Sequence, residues 1–180
     1  IEQILGVEEF THHHLYENLD WLYAHQEKIE NYLFRHKYKT TTITSIYLYD
    51  VTSSYLEGSY NELAQYGYNR DKKKGKKQLV IGLLCDKEGD PVSVEVFEGN
   101  TGDTKTFANQ LQKLKNRFGL LKVITVGDKG MIKQAQIADI NNLNYYYITT
   151  IIRAQIQTLI NKNIIQLALF EDELMEVEHI

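Results

Sequence analysis

The sequence has very little of the residues that interrupt or cross-link a chain. Its 180 residues include one proline, one cysteine and eleven glycines, while 43% are hydrophobic. A single thiol cannot form a disulfide within the chain. Cys85 lies in a short apolar run, where a buried, unreactive thiol is expected. The composition excludes a disordered chain and predicts a folded domain with a sizeable core.

Long apolar runs are also absent. No apolar stretch is long enough to cross a membrane, and the first residues do not have the pattern of a secretory signal. The sequence therefore predicts no membrane partner. Together with the single cysteine, it predicts a cytoplasmic location.

A general surplus of positive charge is missing as well, since the formal net charge is −4. The charge is unevenly distributed, however. Residues 70–77 carry six cations against one anion, and residues 171–178 carry five acids and no base. The basic segment is a candidate contact for DNA phosphates, with a solvated loop as the alternative. Its cations are Arg70, Lys72, Lys73, Lys74, Lys76 and Lys77.

Hydrophobic periodicity and turn residues predict the order of the elements. The order is helix 12–34, strands 43–51, 79–85 and 92–96, a helix capped by Asp103 and ended by Gly119, strand 122–126, helix 131–143 and strand 145–152. Three strands followed by alternating helices and strands predict an α/β protein with a mixed sheet flanked by helices. The ribonuclease H-like fold has this order, and in it the first and fourth strands are neighbours.

Two aspartates, Asp50 and Asp128, each follow an apolar, strand-like run. An ionised carboxylate near a buried strand is costly unless it is paired or binds a metal. If the two strands are neighbours, both carboxylates lie at the same end of the sheet. The sequence therefore predicts a site for a divalent cation, which suits phosphodiester chemistry.

Five motifs, in this order, carry a resemblance to a known family. They are Tyr49-Asp50-Val51-Thr52, Gly67-Tyr68-Asn69-Arg70-Asp71, Val80-Ile81-Gly82-Leu83-Leu84, Gly99-Asn100-Thr101-Gly102-Asp103-Thr104-Lys105-Thr106 and Gly127-Asp128-Lys129-Gly130-Met131. Together they resemble DDE-type transposases of bacterial insertion sequences. The particular likeness is to the group whose ribonuclease H-like catalytic core is interrupted by a β-rich insertion. The resemblance extends over nearly all of the chain.

The resemblance implies that Asp50 and Asp128 are the first and second catalytic aspartates and the ligands of Mg²⁺ or Mn²⁺. Lys129 stands where the family usually has arginine; it keeps the charge and is expected to contact DNA. The family's third acid is a glutamate beyond the insertion, and nothing in residues 154–180 matches its motif. We therefore expect a chain that lacks the third carboxylate and is inactive alone.

The resemblance also implies an organisation and partners. We expect an N-terminal helical segment and linker at 1–42, the first part of the catalytic core at 43–153, and the start of the insertion domain at 154–180. The full-length protein would cleave insertion-sequence ends and join them to target DNA, with terminal repeats and target DNA as partners and a homodimer as its assembly.

Two alternatives stay open. One is a truncated transposase remnant that folds and binds DNA without cutting it. The other is a haloacid-dehalogenase-like phosphatase, which the sequence disfavours. That family needs a second acid two residues after its nucleophile, and Thr52 stands there.

Overall fold

Four helices and five strands make up the part of the chain that this computed structural model describes, namely residues 6, 10–38, 45–68, 75–162 and 164. In chain order they are α1 (His12–Lys37), β1 (Ser45–Tyr55), β2 (Gln78–Asp86), β3 (Pro91–Glu98), α2 (Asp103–Asn116), β4 (Val123–Val126), α3 (Gln134–Asn142), β5 (Tyr146–Ile148) and α4 (Arg153–Asn161). None of the described helices is long and apolar enough to span a membrane.

The strands form one mixed sheet in the order β3-β2-β1-β4-β5. Strands β1, β2 and β3 are joined as antiparallel neighbours, whereas β1 pairs with β4, and β4 with β5, in parallel. The predicted order of elements and the predicted contact between the first and fourth strands are confirmed. The chain has the ribonuclease H-like arrangement of a mixed sheet flanked by helices.

The two faces of the sheet have different surroundings. Along β1, Tyr47, Tyr49 and Val51 are at most 4% exposed, whereas Leu48 and Asp50 are exposed. The alternation follows from the period of two in a strand, which sends successive side chains to opposite faces. The face that carries Tyr49 is the packed face of the sheet, and the face that carries Asp50 is its open face.

Helix α2 covers the packed face. Phe107, Leu111 and Leu114 are each 1% exposed, and their helical spacing places them on one side of α2. The ring of Phe107 lies 6.1 Å from the ring of Tyr49, centroid to centroid. The side of α2 that these three residues form therefore closes the core.

Some boundaries differ from the predictions. Helix α2 has Gly102 as its N-cap, so the prediction that Asp103 caps the helix is wrong. Asp103 is the first helical residue, where its negative charge favours the positive end of the helix dipole. Helix α3 starts at Gln134 rather than near Met131, and helix α4 was not predicted.

Close packing in the centre of the sheet depends on a glycine. A Cβ atom at Gly82 would lie 2.2 Å from the hydroxyl oxygen of Tyr49, on the neighbouring strand. The ring of Tyr49 thus occupies the space that a side chain at position 82 would need. Burial raises the pKa of the Tyr49 hydroxyl to about 12, so it is neutral at any physiological pH.

Glycine also explains two of the sequence motifs. A Cβ atom at Gly67 would lie 1.9 Å from the carbonyl oxygen of Gly99, and one at Gly99 would lie 1.9 Å from that of Gln78. The buried side-chain amide of Gln78 donates to the carbonyl oxygens of Tyr68 and Gly99, at 3.0 and 2.8 Å. The two glycine motifs hold two loops together around Gln78.

The C-terminal half of α1 is attached to the edge strand β3 and to the end of α2. Glu30 accepts hydrogen bonds from the Ser93 hydroxyl at 3.0 Å and the Val94 amide at 3.1 Å, and forms an ion pair with Arg117 at 2.8 Å. The side-chain amide of Gln26 donates to the carbonyl oxygen of Val94 at 2.8 Å. These contacts satisfy the polar groups of Val94 and the charge of Glu30, which is only 9% exposed.

A second attachment joins the end of α1 to the turn between β2 and β3. The Lys37 ammonium and the Tyr38 hydroxyl donate to the carboxylate of Asp86, which is 3% exposed as a residue. Burial alone would raise the pKa of Asp86. The hydrogen bonds from Lys37, Tyr38 and the amides of residues 88 and 90 outweigh burial and lower this pKa to about 2.

We predict that Gly82→Ala destabilises the fold. The added methyl group must displace the ring of Tyr49 from a close-packed position, which costs about 1–3 kcal/mol in the free energy of unfolding. Gly58→Ala is the control, since its nearest contact would be an ordinary 3.9 Å. Urea denaturation measures both variants, and equal stabilities would contradict the packing.

We predict that Asp86 makes stability depend on pH at the acid end. Because its folded pKa is depressed, its contribution of about 2 kcal/mol is present above about pH 4 and is lost as the pH falls towards 2. The stability difference between the parent and Asp86→Asn should therefore shrink over that range in urea titrations. A difference that stays constant from pH 6 to about pH 2 would refute this assignment.

Candidate active site

Asp50 and Asp128 lie in one shallow cavity of about 380 Å³ on the open face of the sheet. Their proximity follows from the parallel pairing of β1 and β4. The last paired residues of the two strands are Leu48 in β1 and Val126 in β4. Asp50 follows Leu48 by two positions, and Asp128 follows Val126 by two positions. Because β1 and β4 run in parallel, the chain leaves both last paired positions in the same direction, and this places the two aspartates beside one cavity.

Asp50 belongs to the middle of a strand. The sequence suggested that β1 ends near Val51, but the strand continues to Tyr55 because it keeps pairing with β2. Asp50 is exposed, and its Oδ1 accepts a hydrogen bond from the amide of Val51 at 2.8 Å. The carboxylate therefore projects from a strand that is fixed by neighbours on both sides, not from a loop.

Asp128 lies in the turn that follows β4. Its Oδ1 accepts hydrogen bonds from the amides of Gly130 at 2.8 Å and Met131 at 3.0 Å. The preceding Gly127 donates its amide to the carbonyl oxygen of Ile148 in β5, at 3.2 Å. The turn is thus held from both sides, and one carboxylate oxygen of Asp128 caps it.

The second oxygen of each carboxylate has no hydrogen-bond or ion-pair partner among the residues that the structure describes. Carboxylate oxygens are the ligands that Mg²⁺ and Mn²⁺ prefer. Two of them, exposed on one side of a cavity, form a donor set that fits a hard divalent cation. Two carboxylates leave most of the coordination of such an ion to water, to substrate oxygens or to further ligands.

The remaining wall of the cavity is largely apolar. It includes Leu48, Leu83, Val126 and Cys85. Cys85 is half-buried instead of fully buried, so the expectation of an enclosed thiol is wrong. Burial nevertheless raises the pKa of the thiol, which keeps it protonated at neutral pH.

The predicted DNA contacts have different surroundings. Arg70, Lys72, Lys73 and Lys74 lie outside the described residues. Lys76 forms an ion pair with Glu57, Lys77 is half-buried, and Lys129 is exposed directly beside Asp128. Lys129 directly follows Asp128 in the chain but is not among the residues that line the cavity.

A further acidic cluster lies at the turn between β2 and β3, where oxygens of Asp86, Glu88 and Asp90 are within 4.8 Å of one another. The ammonium group of Lys37 forms ion pairs with all three of these carboxylates. Since a cation already occupies the centre of the cluster, its geometry is explained without a metal. We assign it to the attachment of α1.

Asp103 lies closer to the candidate site than the sequence suggested. A Cβ atom at Gly130 would be 3.1 Å from Oδ1 of Asp128 and 3.5 Å from Oδ2 of Asp103. Because Gly130 has no side chain, the carboxylates of Asp128 and Asp103 can both lie close to its backbone. The motif Gly127-Asp128-Lys129-Gly130 contains no indication of Asp103, whose position beside Gly130 follows from the tertiary structure.

Comparison of this chain with models of known protein families identifies one matching family. A family model described as "Transposase DDE domain" matches residues 41–176. No curated protein sequence in the comparison matches the chain.

Several solved structures are similar in part. The Mos1 transposase paired-end complex with left transposon end is 16% identical over 78% of this chain and 43% of that chain, with a TM-score of 0.39. The simian T-cell lymphotropic virus intasome with PP2A regulatory subunit B56 gamma is 10% identical over 68% and 40%, with a TM-score of 0.38. The HTLV-2 integrase catalytic core domain with magnesium is 17% identical over 68% and 74%, with a TM-score of 0.35. The chain thus spans about two fifths of the length of the first two.

We predict that two substitutions of Asp128 separate its structural from its chemical role. Asp128→Ala removes the acceptor for two backbone amides and should lower the free energy of unfolding by about 1 kcal/mol. Asp128→Asn keeps an acceptor oxygen and should stay within about 0.5 kcal/mol of the parent. Thermal and urea unfolding measure both, and equal losses in the two variants would contradict the capping role.

Proposed function

This chain belongs to the transposase DDE domain family, and on that premise we propose that it is part of an enzyme that cleaves DNA at insertion-sequence ends and joins them to a target. The observation that carries the proposal is the shared cavity of Asp50 and Asp128. Asp50 lies in β1 and Asp128 in the turn after β4, and both line this one cavity.

In the proposed mechanism Asp50 and Asp128 hold Mg²⁺ or Mn²⁺ through their outward oxygens. When bound there, a divalent ion supplies Lewis-acid polarisation of a phosphodiester and activation of the attacking water or 3′-hydroxyl. Asp50 contributes rigidity, since its strand is paired on both sides. Asp128 contributes a position fixed by its own turn.

Substrate contacts in this proposal come from cations around the cavity. Lys129 neutralises a DNA phosphate next to the reacting bond, and the cations Arg70, Lys72, Lys73, Lys74, Lys76 and Lys77 contact further phosphates. Lys76 contributes less than its neighbours, because Glu57 already neutralises it. DNA with terminal-repeat ends and target DNA are the proposed partners, and the full-length protein is proposed to act as a homodimer.

The chain by itself is proposed to be inactive. The third carboxylate of the site, a glutamate, lies outside this chain, and residues 154–180 are proposed to begin the insertion that separates it from the core. The division into a helical segment at 1–42 and a first part of the catalytic core at 43–153 belongs to the same proposal. A remnant that binds DNA without cutting it has the same fold, so activity of the full-length protein decides between the two.

We predict that the chain binds Mn²⁺ weakly, and that Asp50→Asn or Asp128→Asn abolishes this binding. Calorimetric titration at low ionic strength measures it. Asp90→Asn is the control, since it removes the same charge from the rival acidic cluster at Lys37. Binding that survives both site variants, or disappears in the control alone, would sink the metal assignment.

The same two substitutions should reduce strand cleavage by the full-length protein to background. Radiolabelled terminal-repeat DNA with Mg²⁺ or Mn²⁺ provides the assay. Full activity in either variant would contradict the role of that aspartate, whereas an inactive parent that still binds DNA would favour the remnant.

A further inference from the structure

A second cavity, of about 280 Å³, lies beside the candidate active site and has no part in the proposed metal chemistry. Gly130 stands between the two sites, because its amide donates to Asp128 and the residue also lines the second cavity. The two metal-binding aspartates belong to the first and last of the five sequence motifs. The second cavity, which we call the motif cavity, is lined by residues of four motifs, those at 67–71, 80–84, 99–106 and 127–131.

Close packing around Gln78 forms one wall of the motif cavity before any ligand binds. Gln78 is 2% exposed, and its side-chain amide binds the carbonyl oxygens of Tyr68 and Gly99. Neither Gly67 nor Gly99 has space for a side chain, so the two loops meet through their backbones. A wall that is already fixed loses little order when a ligand binds, which favours binding.

The side chains of the motif cavity combine an aromatic ring, hydrogen-bonding groups and a cation. Tyr68 is 85% exposed, and no residue in the described part of the chain stacks on its ring. Lys133 is exposed and forms no ion pair with a described residue. The hydrogen-bonding side chains include those of Ser53, Asn100, Asp103 and Thr104. This combination suits a ligand with a flat ring, polar edges and a negative charge.

A nucleotide has these three properties. Bases of any sequence stack on aromatic side chains, amides and carboxylates bind base edges, and cations bind phosphates. The volume of the motif cavity is at the lower end of the range for ligand pockets, which suits one base outside a duplex and not a double helix. The ligand that fits is therefore a nucleotide that has left the base stack.

The position of the motif cavity indicates which nucleotide it receives. A Cβ atom at Gly130 would lie 3.1 Å from Oδ1 of Asp128, in the candidate active site, and 3.5 Å from Oδ2 of Asp103, in the motif cavity. The two carboxylates are therefore close enough for adjacent parts of one DNA strand to contact both.

From these observations we propose that the motif cavity binds one unstacked nucleotide, next to the phosphodiester that reacts at the two metal-binding aspartates. Tyr68 stacks on the base. Asn100 and Asp103 contact its edge, and Lys133 binds a flanking phosphate. The identity of the ligand as DNA rests on the proposed function, whereas the cavity itself needs no metal.

Fluorescence anisotropy tests this proposal with the chain and a labelled six-nucleotide single strand, in EDTA and at low ionic strength. We expect Tyr68→Ala to weaken binding about tenfold and Lys133→Ala about fivefold, through the loss of a stacked base and of a phosphate contact. Tyr68→Phe keeps the ring and should bind as the parent does. Tyr66→Ala and Lys122→Ala are the matched controls, since both residues are exposed and neither lines the cavity.

Equal affinities of the parent and both alanine variants of the cavity overturn the proposal. An equal loss in the cavity variants and in their controls overturns it as well, because binding would then extend over the whole surface. A strand of the same charge with abasic residues should bind about tenfold more weakly, and equal binding of that strand would exclude recognition of a base. Far-UV circular dichroism confirms that each variant stays folded.

Failure of the proposed chemistry gives a different result. Asp50→Asn removes a metal ligand but should not weaken the metal-free binding of the strand. Tyr68→Ala should bind Mn²⁺ as the parent does. The two titrations therefore test the metal site and the motif cavity separately.

Photo-cross-linking provides a second test that does not depend on weakened binding. A strand that carries 5-iodouracil couples on irradiation to an aromatic ring in contact with the base. We expect the cross-link at Tyr68, identified by mass spectrometry after digestion, and only background at Tyr66. Equal yields at the two tyrosines would refute the stacking.

Discussion

The parallel pairing of β1 with β4 is the constraint on which the rest of the molecule depends. It joins the antiparallel part of the sheet to the part that is built from alternating helices and strands. It also brings together two carboxylates that are 78 positions apart in the chain, since Asp50 and Asp128 follow the last paired residues by the same distance. Register, a property of the backbone, thus determines the geometry of the candidate active site.

The sequence was sufficient to predict those strands and helices whose apolar residues recur with a regular period. Alternation along β1 and β3 and helical spacing are periodic signals, and with the turn residues they gave the order of the elements. The contact between β1 and β4 was expected because the ribonuclease H-like fold has this order. The same signals could not give the N-cap at Gly102, because a backbone torsion decides it. Nor could they show that β1 continues past Asp50, since pairing with β2 is a contact between distant residues.

The sequence indicated the two aspartates of the candidate site but not the residues around them. Motifs named Asp50 and Asp128, whereas the crowding of Asp103 around Gly130 appears only when three segments meet. The attachment of Lys37 to Asp86 was likewise invisible, because nothing in either local sequence indicates the other. Glycines 67 and 99 belong to motifs that the sequence shows. The reason why these positions need glycine is their close contact with each other and with Gln78, which depends on the tertiary structure.

Helix α1 has a further consequence for how the sheet meets its environment. Edge strands expose unpaired amides and carbonyls, to which another strand can add. Glu30 and Gln26 bind the amide and carbonyl of Val94 at the outer edge of β3. A version of this domain that began after α1 would lose Phe34 from the core and would also uncover that edge beside the exposed Val94 and Val96. Helix α1 therefore also protects the edge of β3 from pairing with a strand of another molecule.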